Sequence, residues 1–188
     1  MPLTEYKKKR DFESTPEPMG SSRPKDSGKE LSFVVQKHQA SHLHYDFRLE
    51  WKGVLLSWAV PKGPSLNPSD KRLAMPVEDH PLDYGGFEGV IPEGQYGGGT
   101  VMIWDRGSWE PEVPDVDKAL RAGDLKFSLH GTKLRGSWAL IRTVIGGSSR
   151  TKWLLIKHKD RYASAKDITT DQPRSAASKK LLADIAKN

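Results

Sequence analysis

The chain has 188 residues, six histidines, no cysteine and a formal net charge of +6. That length suits one domain with a real core and is short for two, and the lack of cysteine excludes disulfides and thiolate zinc sites, leaving a reducing cytoplasm as the natural setting. No apolar run is long enough to span a membrane, and Lys7-Lys8-Lys9-Arg10 lacks the apolar segment of a signal peptide, so a soluble, cytoplasmic protein with no membrane partner is expected.

Residues 1–30 mix charges with Pro16, Pro18, Pro24, Gly20 and Gly28, a composition that cannot fold alone and reads as an N-terminal arm. Tyr6 and Phe12 favour an arm draped over the domain, since a solvated tail has little use for aromatics. The domain proper is expected over 31–165. Its strand pattern begins at Leu31-Ser32-Phe33-Val34-Val35. From His42 to Glu50 the side chains alternate, with His42, His44, Asp46, Arg48 and Glu50 on one face and Leu43, Tyr45, Phe47 and Leu49 on the other. Trp51-Lys52-Gly53 is a turn, and Val54–Val60 completes a hairpin that Pro61 stops. A Pro, Gly and Ser loop follows to residue 69, then a strand from Lys71 to Val77 in which Pro76 demands an edge or a bulge.

Glycines at 85, 86, 89, 94, 97, 98 and 99 are not followed by Gly-Lys-Ser/Thr, so they do not form a nucleotide phosphate loop. They suit tight turns and the corners of a closed sheet. Further strands are predicted at Thr100–Trp104, Leu125–Leu129, Ser137–Arg142 and Trp153–Ile156, with short helices at Val116–Arg121 and Ala177–Ala186. Many short strands joined by Gly and Pro turns indicate an all-β barrel or sandwich, with Trp58, Trp104, Trp138 and Trp153 in its core. Residues 166–188 read as a basic C-terminal tail or interdomain linker. The last 39 residues carry ten basic against four acidic side chains, which points to a polyanionic partner, nucleic acid first.

The chemistry concentrates at residues 38–48. His44 and Asp46 are next neighbours on one strand face and can reach one ion, with His38 upstream as a third donor. Two imidazoles and a carboxylate suit Mn²⁺, Fe²⁺ or Zn²⁺ with open positions for water or substrate. Arg48, at the same parity, is suited to holding an anion rather than a metal. A phosphate site is the reading. Lys62 and Arg72 flank a loop after the hairpin and would complete an anion pocket. His80, set extended by Pro81, is a candidate acid, base or phosphate contact. His130 and His158 read as structural or surface residues.

Four stretches together resemble the 3′-phosphoesterase domain of bacterial DNA ligase D. They are His38-Gln39-Ala40-Ser41-His42-Leu43-His44-Tyr45-Asp46-Phe47-Arg48-Leu49-Glu50, Trp58-Ala59-Val60-Pro61-Lys62-Gly63-Pro64, Val77-Glu78-Asp79-His80-Pro81-Leu82-Asp83-Tyr84, and Phe87-Glu88-Gly89-Val90-Ile91-Pro92-Glu93-Gly94-Gln95-Tyr96-Gly97. The resemblance runs from Tyr6 to about His158. It implies a compact β-barrel with its active site in a surface groove. The implied activity is end-healing in non-homologous end joining: a 3′-terminal ribonucleoside is removed, then the remaining 3′-phosphate, leaving a 3′-hydroxyl. It further implies Mn²⁺ held by His38, His44 and Asp46, with Arg48, Lys62, Arg72 and His80 around the scissile phosphate. Tyr84 and Gln36 match further active-site positions, and Arg10, Asp11 and Glu17 in the arm match positions needed for activity. No role is assigned to His42. The implied partners are a DNA primer-template with a 3′-ribonucleotide or 3′-phosphate end, polymerase and ligase domains of the same polypeptide, and a Ku-type end-binding protein, near the nucleoid. Two alternatives stand beside it: a non-haem iron oxygenase built on a two-histidine, one-carboxylate triad, and a non-catalytic nucleic-acid-binding barrel.

Overall fold

The computed structural model describes residues 3–20, 30–143 and 151–187. Residues 21–29, with Pro24 and Gly28 of the expected arm, lie outside the described residues. The strands are β1 (Leu31–Gln39), β2 (Leu43–Trp51), β3 (Val54–Val60), β4 (Arg72–Pro81), β5 (Gly89–Ile91), β6 (Gly99–Pro111), β7 (Asp124–Gly131), β8 (Arg135–Thr143) and β9 (Lys152–Lys157). They run β1-β2-β3-β4-β9-β8-β7-β6, and the pairing of β6 with β1 closes these eight into an antiparallel barrel. The short β5 adds to β6 at Gly99–Val101, ahead of the stretch of β6 that pairs with β7. The expected all-β barrel is the fold observed.

Strand β6 is far longer than its apolar run Thr100–Trp104, because it pairs with β1 along nearly its whole length while its other edge passes from β5 to β7. Its Asp105-Arg106-Gly107 reads locally as a turn. In the fold the Asp105 carboxylate instead accepts the amides of Thr132, Lys133 and Leu134, tying down the β7–β8 turn. Gly107 is required there, since a Cβ would stand 2.1 Å from the His130 carbonyl oxygen. Pro76 stands opposite Trp58 of β3 but past the last β9 partner, Ala74, so one edge of β4 is open there, as a proline in a strand requires.

Inward-facing residues of the eight barrel strands form the main core, in which Trp104, Trp109, Trp138, Phe47 and Phe127 are essentially inaccessible. All four tryptophans expected there are buried. A second apolar cluster lies on the outside of β1, where Val34, Leu55, Ile91 and Ile103 meet Tyr6 and Tyr84. Tyr6 comes from α1 (Thr4–Lys8) in the arm, with Phe12 packed beside it, and Tyr84 comes from a 3-10 turn over Leu82–Gly86. The arm is draped, and it makes this stretch of barrel wall an interior.

Three more short helices form: α2 (Val116–Ala122), α3 (Ile168–Asp171) and α4 (Leu182–Ala186). The sequence pattern suggests only one or two helices, with the last starting at Ala177. That start fails because Lys179 takes a φ of +66°, outside helical space, while the Ser175 hydroxyl accepts the Ala177 and Ser178 amides. The segment expected as tail or linker is seated on the barrel. Ile168 and Ile185 enter the main core, the Trp104 indole donates to the Gln172 carbonyl, and the Ala176 amide donates to the Ile103 carbonyl.

Candidate active site

The β1–β2 register sets the site. His38 stands opposite His44, and Gln36 opposite Asp46, so the four side chains share the outer face of one two-stranded ribbon. Ligand atoms of His38, His44 and Asp46 all lie within 4.8 Å of one another. Asp46 Oδ2 is 3.6 Å from His38 Nδ1 and 3.3 Å from His44 Nε2. The opposite nitrogen of each ring is already committed: His38 Nε2 bonds the Gly97 carbonyl at 2.7 Å, and His44 Nδ1 bonds the His42 carbonyl at 3.1 Å. Protonated rings donate to Asp46, whereas neutral rings with N–H groups at those two atoms leave a lone pair on the Asp46 side, where a metal would be held. This is the arrangement in which metal-ligating histidines are held, so the donor set fits a divalent transition metal. His42 serves through its backbone, its side chain being exposed.

Behind the three donors lies a buried polar network. The Arg48 side chain is 3% exposed; its Nη2 is 3.5 Å from Asp46, its Nε donates to Gln36 Oε1 at 2.7 Å, and its Nη1 donates to Ser57 Oγ at 2.9 Å. Gln36 spends its amide on the carbonyls of Tyr84 and Phe87. The 3-10 turn is thereby fastened to the ribbon. Burial alone would raise the Asp46 carboxyl, but the Arg48 charge and the bonds to His38 and His44 outweigh it and hold the group well below the usual carboxylate range.

His80, at the end of β4, is 3% exposed and packs edge-on against the rings of Tyr84 and Tyr6. Burial, then the charges of Arg48 and Arg10, push its imidazole well below the ordinary value. Its Nδ1 bonds the Glu78 carbonyl at 2.9 Å and its Nε2 is 3.4 Å from Arg10 Nη2. Arg10 enters from the arm, held by Glu17 at 2.8 Å and lying 4.0 Å from the Tyr6 ring centroid. Glu17 also accepts the Tyr84 hydroxyl at 2.8 Å. Burial raises the Tyr84 phenol well above its usual range.

Arg10, His38, His44, Asp46, Arg48, His80 and Tyr84 line one pocket, and Gln36 and Glu17 brace it from behind. Asp11 does not reach it. Its exposed carboxylate bonds the Glu13 amide and the Ser14 hydroxyl, shaping the arm. Lys62 and Arg72 line a separate groove together with Lys71. Arg72 Nε is buried there without a hydrogen-bond partner. His130 is exposed near Glu110, and His158 bonds the Ser137 hydroxyl, so neither enters the pocket. Three contributors were missed in the sequence: Glu78, which pairs with both Lys9 and Arg10, the Gly97 carbonyl, and Tyr96. Glu78 sits in the same motif as His80, but no local pattern marks a carboxylate as the anchor of a distant arm.

A closed antiparallel barrel bearing a two-histidine, one-carboxylate cluster with the Arg48 and Arg10 guanidiniums beside it defines a protein with a site that could hold a metal among cationic side chains. Comparison with known proteins sharpens that class. The DNA Ligase D 3′-phosphoesterase domain family matches residues 36–142. The multifunctional non-homologous end joining protein LigD of Pseudomonas aeruginosa is 53% identical over 184 residues, covering 96% of this chain and 22% of that protein. The multifunctional non-homologous end joining DNA repair protein LigD of Mycobacterium tuberculosis is 45% identical over 159 residues, covering 85% and 20%. The chain therefore belongs to the DNA ligase D 3′-phosphoesterase domain family. It spans about a fifth of the length of the curated relatives it matches.

Proposed function

We propose that this domain heals DNA 3′ ends with the help of a divalent metal, removing a 3′-terminal ribonucleoside as a phosphodiesterase and then the 3′-phosphate as a phosphomonoesterase. The observation that carries this reading is the pair of histidines whose outer nitrogens are pinned by carbonyls, facing one carboxylate with the Arg48 guanidinium beside it. His38, His44 and Asp46 would hold the ion, with Mn²⁺ our choice among the metals this donor set accepts. Such an ion, when bound, supplies Lewis-acid polarisation of a phosphoryl oxygen.

The remaining work belongs to the chain itself. Arg48, pre-oriented by Gln36 and Ser57, holds the phosphate and offsets charge building on its oxygens, a contribution worth about 3 kcal/mol in comparable sites. His80 is neutral in the free protein, with Nε2 toward the pocket. A bound phosphate favours its imidazolium, which then protonates the departing 5′-oxygen. Arg10, paired with Glu17 and Glu78, sets a guanidinium N–H 3.4 Å from His80 Nε2 at the edge of the pocket, so the arm belongs to the working site. Lys62 and Arg72, in the neighbouring groove, take the backbone phosphates next to the scissile one.

The relatives are multifunctional end-joining proteins, and this domain would act in series with polymerase and ligase domains and a Ku-type end-binding protein in a bacterial cytoplasm. Arg48 and Arg10 beside the donors favour phosphate over an oxygenase co-substrate. A non-catalytic barrel leaves both histidine tautomers unexplained.

The test is a 5′-labelled primer-template with one 3′-terminal ribonucleotide, incubated with Mn²⁺, with Mg²⁺ and with chelator. Shortening to a 3′-phosphate end and then to a 3′-hydroxyl end, abolished by chelator, is the expected result. An unchanged primer in every divalent metal tried would reject the proposal, and consumption of O₂ with 2-oxoglutarate would establish the oxygenase instead.

A further inference from the structure

The pocket contains an aromatic ring that the phosphate chemistry does not use. Tyr96 lies in the 92–98 loop between β5 and β6, next to Gly97, whose carbonyl pins His38. It lines the same pocket as the three donors, yet it is 48% exposed. Among the described residues four large apolar side chains are exposed, and two of them, Tyr96 and Val77, stand on this pocket. Exposed apolar surface gathered at the mouth of a buried charged site marks a place where an apolar part of a ligand rests.

The ring is also held in place. Lys9 Nζ lies 5.0 Å and the Arg10 guanidinium 5.3 Å from its centroid, and Lys9 donates to the Tyr96 hydroxyl at 3.4 Å. Both cations are anchored in turn, Lys9 to Glu78 and Arg10 to Glu17 and Glu78. Cations drawn to the electron-rich ring fix its attitude at little entropic cost, and the open remainder is a ready stacking surface.

The two flanks of the site differ in charge. On the β3–β4 side, Lys62, Lys71 and Arg72 line their groove with Asp70 as the one acidic residue, 3.7 Å from Arg72. On the Tyr96 side the cations are already paired, and Glu78 contributes negative charge. A strand of phosphates runs favourably along the first flank. The second suits the end of the strand, a nucleoside with no phosphate beyond the scissile one.

We propose that Tyr96 is the platform on which the base of the 3′-terminal nucleoside stacks, placing the scissile phosphate over His38, His44, Asp46 and Arg48. This rests on the end-healing reading above and adds the binding determinant for the leaving nucleoside. Stacking on an aromatic ring is tolerant of base identity, which suits an enzyme that must process any terminal base.

The experiment compares kcat/KM on two primer-templates, one ending in an ordinary ribonucleoside and one ending in a ribose that lacks its base, for the wild type, Tyr96→Ala and Tyr96→Trp. The wild type should prefer the base-bearing end by about tenfold or more, Tyr96→Trp should keep that preference, and Tyr96→Ala should lose it. A preference equal in wild type and Tyr96→Ala overturns the assignment, as does an effect that follows removal of the penultimate base. If the wild type turns over neither primer, the end-healing reading itself falls and this assignment with it.

Discussion

Gln36 is the residue whose loss should report most directly on how the site is built. It is wholly buried, donates to the carbonyls of Tyr84 and Phe87 at 2.8 and 3.0 Å, and accepts Arg48 Nε at 2.7 Å. Gln36→Met keeps the volume and removes all three bonds. Each buried group left without a partner costs about 1–3 kcal/mol, and the change strands the Phe87 carbonyl and one guanidinium N–H, while the Tyr84 carbonyl keeps the Phe87 amide. Arg48 retains Ser57 and Asp46, and relaxation of the turn can give the Phe87 carbonyl some access to water, so we expect a loss of about 2–4 kcal/mol. Against an ordinary domain stability of about 5–15 kcal/mol this is severe but survivable. Urea unfolding followed by tryptophan fluorescence reads it as a lower midpoint at unchanged slope. The folded fraction should also show weakened primer turnover, because Arg48 is no longer aimed. A loss below about 1 kcal/mol would refute the view that this network fastens the 3-10 turn to the ribbon.

Asp46→Asn should weaken Mn²⁺ binding by more than about tenfold in calorimetric titration, since the only carboxylate of the donor set is neutralised; unchanged affinity would remove it as a ligand. Glu17→Gln leaves the buried Arg10 guanidinium with Glu78 as its remaining charged partner and should cost about 3 kcal/mol, releasing the arm and speeding tryptic cleavage at Lys7–Lys9. Cleavage at the wild-type rate would contradict this. The His80 imidazole is depressed below its ordinary 6.5, so the unfolded chain binds that proton first. Its contribution to stability is therefore complete above about pH 6.5 and is lost as pH falls toward the folded-state value. His44, whose burial is outweighed by its bond to Asp46, is raised and works in the opposite sense. The clean measure is a comparison: from about pH 7.5 to 5 the metal-free wild type should lose more stability than His80→Gln, and equal losses would show that His80 is not buried neutral.

Much of this site was legible in the chain. Alternation from His42 to Glu50 set which side chains share a face, because a strand repeats every two residues whatever surrounds it. His38 was placed beside His44 and Asp46 by its nearness in the chain and by the family resemblance, whereas the β1–β2 register that sets it opposite His44 came from the structure. Many short strands with Gly and Pro corners indicated an all-β barrel or sandwich, and the family resemblance singled out the barrel. The length of β6 was not legible, since Asp105-Arg106-Gly107 is a turn by local preference and a strand only through its partners on both edges.

What the amino-acid sequence alone determined, then, was the all-β class, the ribbon face and the three donors, which rest on strand periodicity and on motifs read along the chain, while closure of the barrel joins β1 to β6 and β4 to β9, far apart in the chain. Tertiary structure alone decided the rest. Glu17 meets Tyr84 across 67 positions, Arg10 meets Glu78 across 68, and His38 finds its carbonyl at Gly97, 59 residues on. It also set Lys62 and Arg72 in a groove of their own, and seated the C-terminal segment on the barrel through Ile168 and Ile185. Such pairings carry no local signature, because a side chain's partner across the fold depends on where every intervening strand runs.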